Sequence, residues 1–252
     1  MRVPPQARIG APPVPSELPW VNSAPLRLDE QRGRPVLLGF SDLLRPSSLR
    51  TAAYFEDWHS RYGTRDSGLL VITVYAPWPE FAADPAVAAR LVRLAGLTHP
   101  VLLDLDLALW RVYENPGWPT RYLFDREHLL LDHHAGEGGY EQTEAAIAEL
   151  LGVPATRAAP LHPIDAPDAG LVIPTPDQEG LWSGEYEAGE AWAIVEGSGV
   201  LTVNGSAIEI DGPGPVVLVR HAAHTADRLE LAAGDGVRCH AVCFSPGRAP
   251  AR

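Results

Sequence analysis

Residues 113–125 read Tyr113-Glu114-Asn115-Pro116-Gly117-Trp118-Pro119-Thr120-Arg121-Tyr122-Leu123-Phe124-Asp125. Thr120 to Phe124 is a short apolar run of strand type. Leu129 to His133 is a second, and the polar Asp125-Arg126-Glu127 between them predicts a hairpin. His133 and His134 are neighbours on that second strand, so they must point to opposite faces. Downstream, Gln142 to Leu151 has the spacing of an amphipathic helix.

Upstream, strands and helices alternate. Pro35-Val36-Leu37-Leu38-Gly39-Phe40 is continuously apolar, as a strand buried on both faces requires. Arg45-Pro46-Ser47-Ser48 follows, and then Leu49, Ala52, Ala53, Phe55 and Trp58 recur at helical spacing. Pro46 suits a first helical position, where its missing N–H costs nothing. Leu69 to Tyr75 is another buried strand. Asp84 or Pro85 opens a helix to Ala95, which Gly96 closes. Pro100-Val101-Leu102-Leu103 reads as a short strand, and Asp106 to Tyr113 reads as one or two helical turns. The order β-α-β-α-β-α-β-β-α predicts an α/β domain with a mixed central sheet flanked by helices.

Beyond residue 152 the composition shifts. Residues 153–170 are rich in Pro and Ala and read as a linker. Residues 171–252 hold short alternating segments broken by glycine. The clearest is Leu201-Thr202-Val203, Asn204-Gly205, then Ser206 to Ile210; Asn-Gly between alternating apolar residues is a strong hairpin signal. Pro215–Val219, Arg228–Ala232 and Val237–Phe244 are further strand candidates. A small all-β sandwich or jelly roll is expected there. Residues 1–16 are Pro-rich and read as a flexible lead-in, which leaves 17–152 for the α/β domain.

The chain has 252 residues and a net charge of −12, with no lysine at all. The acidic balance excludes a nucleic-acid binder and a protein that docks on an anionic membrane. The missing lysine excludes Schiff-base and P-loop chemistry. No run is long and apolar enough to span a bilayer. Met1 to Trp20 has no apolar core of signal-peptide type, and the expected location is cytoplasmic. Cys239 and Cys243 share a strand candidate, on one face and roughly 13 Å apart at about 3.3 Å per residue, too far for a disulfide.

The stretch from Trp20 to Leu151 resembles the thioredoxin-like family, on its TlpA and DipZ-type branch. The resemblance rests on the strand Val36–Phe40, the turn and helix carrying Leu49-Arg50-Thr51, the strand Gly68–Tyr75, Trp118-Pro119-Thr120 at the family's cis-proline segment, and Gly136-Glu137-Gly138 before the last helix. The family carries Cys-x-x-Cys at the start of the first helix, where amides and helix dipole lower the thiol pKa. Here Arg45 stands at the attacking position and Ser48 at the resolving one. Arginine cannot attack, and a serine hydroxyl without a base is a poor nucleophile. Residues 180–247 resemble the carbohydrate-binding-module-like β-sandwich of DipZ-type proteins, through Gly180-Leu181-Trp182, Val203-Asn204-Gly205, Pro215–Val219 and Cys243–Gly247. A cupin is the competing reading, but its His-x-His motif is absent.

These readings imply a redox-degenerate, non-catalytic protein that binds a peptide or small anion. Arg45, Ser47 and Ser48 would hold an anion at the helix start. Trp118, Pro119 and Thr120 would pair with an extended peptide. Trp182, Tyr186 and Trp192 are candidate platforms for a sugar or other ligand bound by the sandwich, an alternative function, with core packing the favoured reading of the three. Trp78 and Trp110 read as core or surface filler. His221 and His224 fall on a turn between strands and, with His240, lack the ligand set of a zinc site. Asp104 and Asp106 read as caps of the following helix. No metal and no cofactor is expected. The enzymatic alternative is a thiol–disulfide oxidoreductase that uses Cys239, Cys243 or a partner's thiol.

Overall fold

The computed structural model describes residues 1–4, 8–63, 68–155 and 159–249. The chain divides into two compact units, one of Met1–Leu43 and Ser47–Ala159, the other of Pro160–Arg252 with the short stretch Leu44–Pro46 grouped to it.

The first unit is a six-stranded mixed sheet between helices. Its strands are β1 (Trp20–Val21), β2 (Val36–Ser41), β3 (Leu70–Tyr75), β4 (Val101–Leu103), β5 (Thr120–Phe124) and β6 (Leu130–Ala135), in the order β1-β4-β3-β2-β5-β6. β2, β3 and β4 run parallel, and β5, β6 and β1 run antiparallel to their neighbours. The central β2 and β3 are buried at every position, which is why both read as unbroken apolar runs.

Four helices complete the unit: α1 (Pro46–Tyr62), α2 (Pro85–Leu94), α3 (Ala108–Val112) and α4 (Tyr140–Leu151). α1 begins at Pro46 as its ring geometry favours. It buries Tyr54, Phe55 and Trp58 on one face of the sheet, with Leu37, Val71 and Leu123. Each such side chain contributes about 1.5–3 kcal/mol by leaving water. Gly39 makes room for this packing, since a Cβ there would lie 1.8 Å from the Phe55 ring. Asp84 caps α2 by accepting from Ala86 N (2.7 Å) and Val87 N (3.2 Å). The element order is the one the sequence predicts, with β1 as an addition at the sheet edge.

The lead-in reading of residues 1–16 needs correction. β6 has no strand on its outer side, and there the N-terminal stretch bonds along it around Val3 and from Ile9 to Ala11. Val3 N donates to Leu131 O (2.9 Å), Leu130 N to Ile9 O (2.7 Å) and Ala11 N to His128 O (2.9 Å). Prolines interrupt the run without removing these particular donors, so a Pro-rich segment still satisfies an edge.

The second unit is antiparallel β. β8 (Gln178–Glu179), β9 (Gly184–Gly197), β12 (Gly214–Leu229) and β14 (Val237–Ser245) form a sheet ordered β12-β9-β14-β8. β10 (Gly199–Val203), β11 (Ser206–Ile210) and β13 (Leu231–Ala233) form another, ordered β11-β10-β13. β7 (Leu171–Val172) pairs with β15 (Gly247–Arg248). One apolar core joins side chains of both larger sheets, among them Tyr186, Val195, Leu201, Ile210, Leu231 and Phe244. The Asn204-Gly205 hairpin forms as expected, with both residues at positive φ (48° and 80°) and Val203 opposite Ser206. Of the stretch read as a linker, residues 156–158 lie outside the described residues, and Pro163–Asp165 form a 3-10 turn.

Candidate functional site

The register of the first sheet defines the site. Phe40 of β2 pairs with Thr120 of β5. β2 and β5 are antiparallel, so the loop that leaves β2 and the segment that enters β5 lie at the same end of the sheet. That loop leads through Asp42 and Arg45 into α1, and that segment is Gly117-Trp118-Pro119. The Trp118–Pro119 peptide bond is cis, matching the place the resemblance assigns to it. Thr120 is buried, and its hydroxyl donates to Gly117 O (2.7 Å), which folds the segment back on itself.

Arg45 directly precedes α1 and is half-buried, while Ser48, in the helix's first turn, is fully enclosed. Ser48 Oγ and Ser41 Oγ are buried without a hydrogen-bond partner among the described residues. No cysteine stands in or beside this turn. Arg50, one helical turn further on, forms a two-pronged bond to Glu137, Nε to Oε1 at 2.7 Å and Nη2 to Oε2 at 2.8 Å. This pair ties α1 to the glycine-rich loop before α4.

Trp118 is not isolated. Its ring stacks on Trp110 (centroids 4.2 Å, planes 23° apart) and meets Trp78 edge to face (6.1 Å, 70°). Trp78 is 68 % exposed. Trp110 rests in turn on Phe40 (5.8 Å), which carries the aromatic contact down to the sheet. Reading Trp78 and Trp110 as filler therefore missed a cluster of three tryptophans. Their sequence separations have no period, so only the fold brings them together.

Arg121 is a second residue that the sequence did not single out. It lies in the sheet, 2 % exposed, facing the start of α4. Nε donates to Thr143 Oγ1 (2.8 Å), Nη2 donates to Gly138 O (2.6 Å), and the guanidinium lies 5.2 Å from the Tyr140 ring centre. Burial pushes its pKa down to about 10, so it keeps its charge at neutral pH. His133 and His134 do face opposite ways. The His133 ring lies along Tyr122 (6.2 Å), and His134 Nε2 bonds to Glu137 O (3.0 Å).

One constellation has the form of a nucleophile–base–acid triad. Thr73 Oγ1 lies 2.8 Å from His99 Nε2, and His99 Nδ1 lies 2.8 Å from Glu56 Oε2. Glu56 also accepts from Thr98 N (2.9 Å) and from the Thr98 hydroxyl. Burial pushes the Glu56 carboxyl up, but the bonds from His99 and Thr98 outweigh it and hold the pKa at about 2. Thr73 and His99 are both 0 % exposed. A nucleophile in the middle of a central strand cannot meet a substrate, so this triad joins α1 to β3 and to the loop before β4 and does no chemistry.

The remaining candidates separate. Asp104 accepts from Leu109 N (3.0 Å) and Trp110 N (2.7 Å), and Asp106 from Ala108 N (3.2 Å), so both cap α3 as the sequence suggested. His221 and His224 lie inside β12, not on a turn, because that strand continues through an irregularity between Arg220 and Thr225. His221 Nε2 meets the Tyr186 hydroxyl (2.8 Å), and His240 Nε2 meets Glu196 (2.8 Å). Among the described residues no group of three His, Cys, Asp or Glu side chains is placed to hold a metal. Tyr186 is core and Trp182 packs on that core, with Phe244 between them at 5.2 and 5.6 Å. Trp192 is on the other face of β9, where its Nε1 donates to Glu190 (3.0 Å) and Arg220 lies 5.9 Å from its ring centre.

The cysteine geometry also differs from expectation. A bulge in β14 between Cys239 and Ala241 shifts the alternation by one residue. Cys239 joins Val242 and Phe244 in the sandwich core, and Cys243 is turned to the other face. Burial raises the Cys239 thiol pKa, the opposite of what a reactive thiolate needs.

Comparison with known proteins agrees with the fold. No family model matches the chain. Protein DipZ of Mycobacterium bovis is 33% identical over 135 residues, which are 52% of this chain and 19% of that protein. The chain thus spans about a fifth of that relative's length. Thiol-disulfide oxidoreductase YkuV of Bacillus subtilis is 24% identical over 140 residues, 56% of this chain and 93% of that one. The solution structure of a thioredoxin-like protein in the oxidized form superposes with a TM-score of 0.51 at 25% identity, over 57% of this chain and 96% of the other. With the sheet order, the helix placement and the cis-proline segment already described, these comparisons show that the first unit has the thioredoxin-like fold and is similar in sequence to protein DipZ and to the thiol–disulfide oxidoreductase YkuV.

Proposed function

We propose that the first unit is a redox-inactive thioredoxin-like domain that binds an extended peptide or a small anion at the α1 and cis-proline end of the sheet. The observation that carries this reading is the juxtaposition of Arg45-Pro46-Ser47-Ser48 with Trp118-Pro119-Thr120, set by the Phe40–Thr120 pairing, with no thiol in the turn. The Arg45 guanidinium and the positive end of the α1 dipole favour an anion. The tryptophans beside Pro119 offer rigid apolar surface to a peptide side chain. The two cysteines of the second unit are buried as thiols, which fits a cytoplasmic setting, and burial raises the Cys239 pKa, which gives little support to a borrowed-thiol oxidoreductase.

The test is titration calorimetry of the full chain with a cysteine-free acidic hexapeptide, run beside a dithiothreitol-driven insulin-reduction assay. The expected result is saturable binding, weakened about tenfold by Arg45→Ala through loss of a charge-assisted hydrogen bond, and insulin reduction at the uncatalysed rate. Catalysed reduction by the natural chain would overturn the reading, and so would its loss on replacing Cys239 and Cys243 by serine.

A further inference from the structure

A cleft of about 650 Å³ opens at the other end of the first unit's sheet, where β2 begins and β5 turns into β6. Its size is that of a small-molecule site. One wall is the N-terminal stretch around Val14, which backbone bonds hold to the β5–β6 turn through Ala11 N to His128 O (2.9 Å) and the Gly10–Leu129 bridge. Leu28 and Leu129 supply apolar lining, and Leu28 belongs to the buried core beneath the cleft.

Two polar features converge on this apolar lining. The first is charge. Arg8, Arg27 and Arg32 all line the cleft, with Asp29 and Glu127 as the acidic members. Arg27 is already met by Asp29 (2.8 Å) and Glu30 (3.4 Å). Arg8 and Arg32 line the cleft as well, and Arg32 spends one donor on the Glu127 main-chain carbonyl (3.2 Å). Three arginines set against Asp29, Glu127 and the neighbouring Glu30 balance the charge here, on a chain whose net charge is −12. The second feature is His128. It is 5 % exposed, lines the cleft, and its Nε2 is enclosed with no hydrogen-bond partner among the described residues. A buried ring nitrogen left unbonded costs stability unless something else meets it.

We propose that this cleft binds a small organic anion, a carboxylate or sulfonate on an apolar body. Arg8 and Arg32 hold the charged group, His128 Nε2 makes a hydrogen bond to the ligand, and Val14, Leu28 and Leu129 pack against the apolar part. The site lies at the opposite end of β2 from the α1 and cis-proline segment, so it stands or falls independently of the function proposed there.

The experiment uses 8-anilinonaphthalene-1-sulfonate as the probe on the full chain, followed by its fluorescence at neutral pH. Saturable one-site enhancement is expected, and it should weaken as salt rises from low to high concentration. The double variant Arg8→Ala/Arg32→Ala should lose at least about tenfold in affinity, because the charge-assisted bonds go. Val14→Trp should fill the cleft and abolish the site, and an unchanged thermal midpoint would show that this variant is folded. Octanoate should displace the probe, and inorganic phosphate at the same concentration should not. Equal enhancement in natural chain and both variants would place the probe elsewhere and overturn the proposal. Displacement by phosphate as effective as by octanoate would overturn it too, since the apolar half of the recognition would then have no role.

Discussion

Two clusters in the first unit make an instructive pair. The Arg45-Pro46-Ser47-Ser48 turn stands at a helix start beside a cis-proline, the place the resemblance gives to an active site, and holds no cysteine. Thr73, His99 and Glu56 have the side chains and distances of a catalytic triad and lack the position, because Thr73 and His99 are 0 % exposed. A reactive site needs both an activated group and a path for substrate. Each cluster fails on one count, and for different reasons. The first has no thiol to activate, which substitution can supply. The second fails in burial, which the fold imposes.

The sharpest way to break this comparison is to return the chemistry to the place that kept the position. Replacing Arg45 and Ser48 together by cysteine puts two thiols at the start of α1, where helix amides and dipole lower the thiol pKa. The double variant should reduce insulin with dithiothreitol at least about tenfold faster than the natural chain, as activation of a thiolate at such a site permits. If it stays at the uncatalysed rate while its disulfide forms normally, the geometry of the turn has drifted as well as its residues. The reverse test concerns the triad. Thr73→Val keeps the side-chain shape and leaves His99 Nε2 facing a methyl group, at a cost of about 1–3 kcal/mol for an unsatisfied buried atom. Urea unfolding measures this loss. Esterase activity that vanished with Thr73→Val would contradict the assignment of the triad to structure.

The same contrast explains what the sequence disclosed. Strands buried on both faces announce themselves as apolar runs, and caps such as Asp84 and Asp104 stand beside the helices they serve. The Arg-Pro-Ser-Ser turn and Trp118-Pro119-Thr120 were legible because each is a local string. The Trp78, Trp110 and Trp118 cluster, the Arg121 contacts and the Thr73–His99–Glu56 chain are assembled from distant segments. No local pattern ties residue 56 to residue 99. In the second unit the bulge in β14 and the continuation of β12 through His221 and His224 reversed expectations that assumed strict alternation. One inserted residue shifts every later side chain to the other face, and composition does not reveal where it falls.

A gentler perturbation sharpens the same comparison through pH. In the folded chain the Glu56 carboxyl has a pKa of about 2, against an ordinary 4.5. A carboxyl depressed on folding contributes stability above its unfolded pKa and loses it as pH falls toward the folded one. Glu56→Gln keeps the size and removes the charge that His99 and Thr98 bond to. At pH 7 it should cost about 1–2 kcal/mol, discounted because Glu56 is partly exposed and water screens the charge. The difference between natural chain and variant should persist down to about pH 5, shrink between 4.5 and 2, and vanish below that. Urea midpoints measured across this range would check it. A difference independent of pH would mean that Glu56 acts through packing alone, and that the bonds from His99 and Thr98 do not depend on its charge.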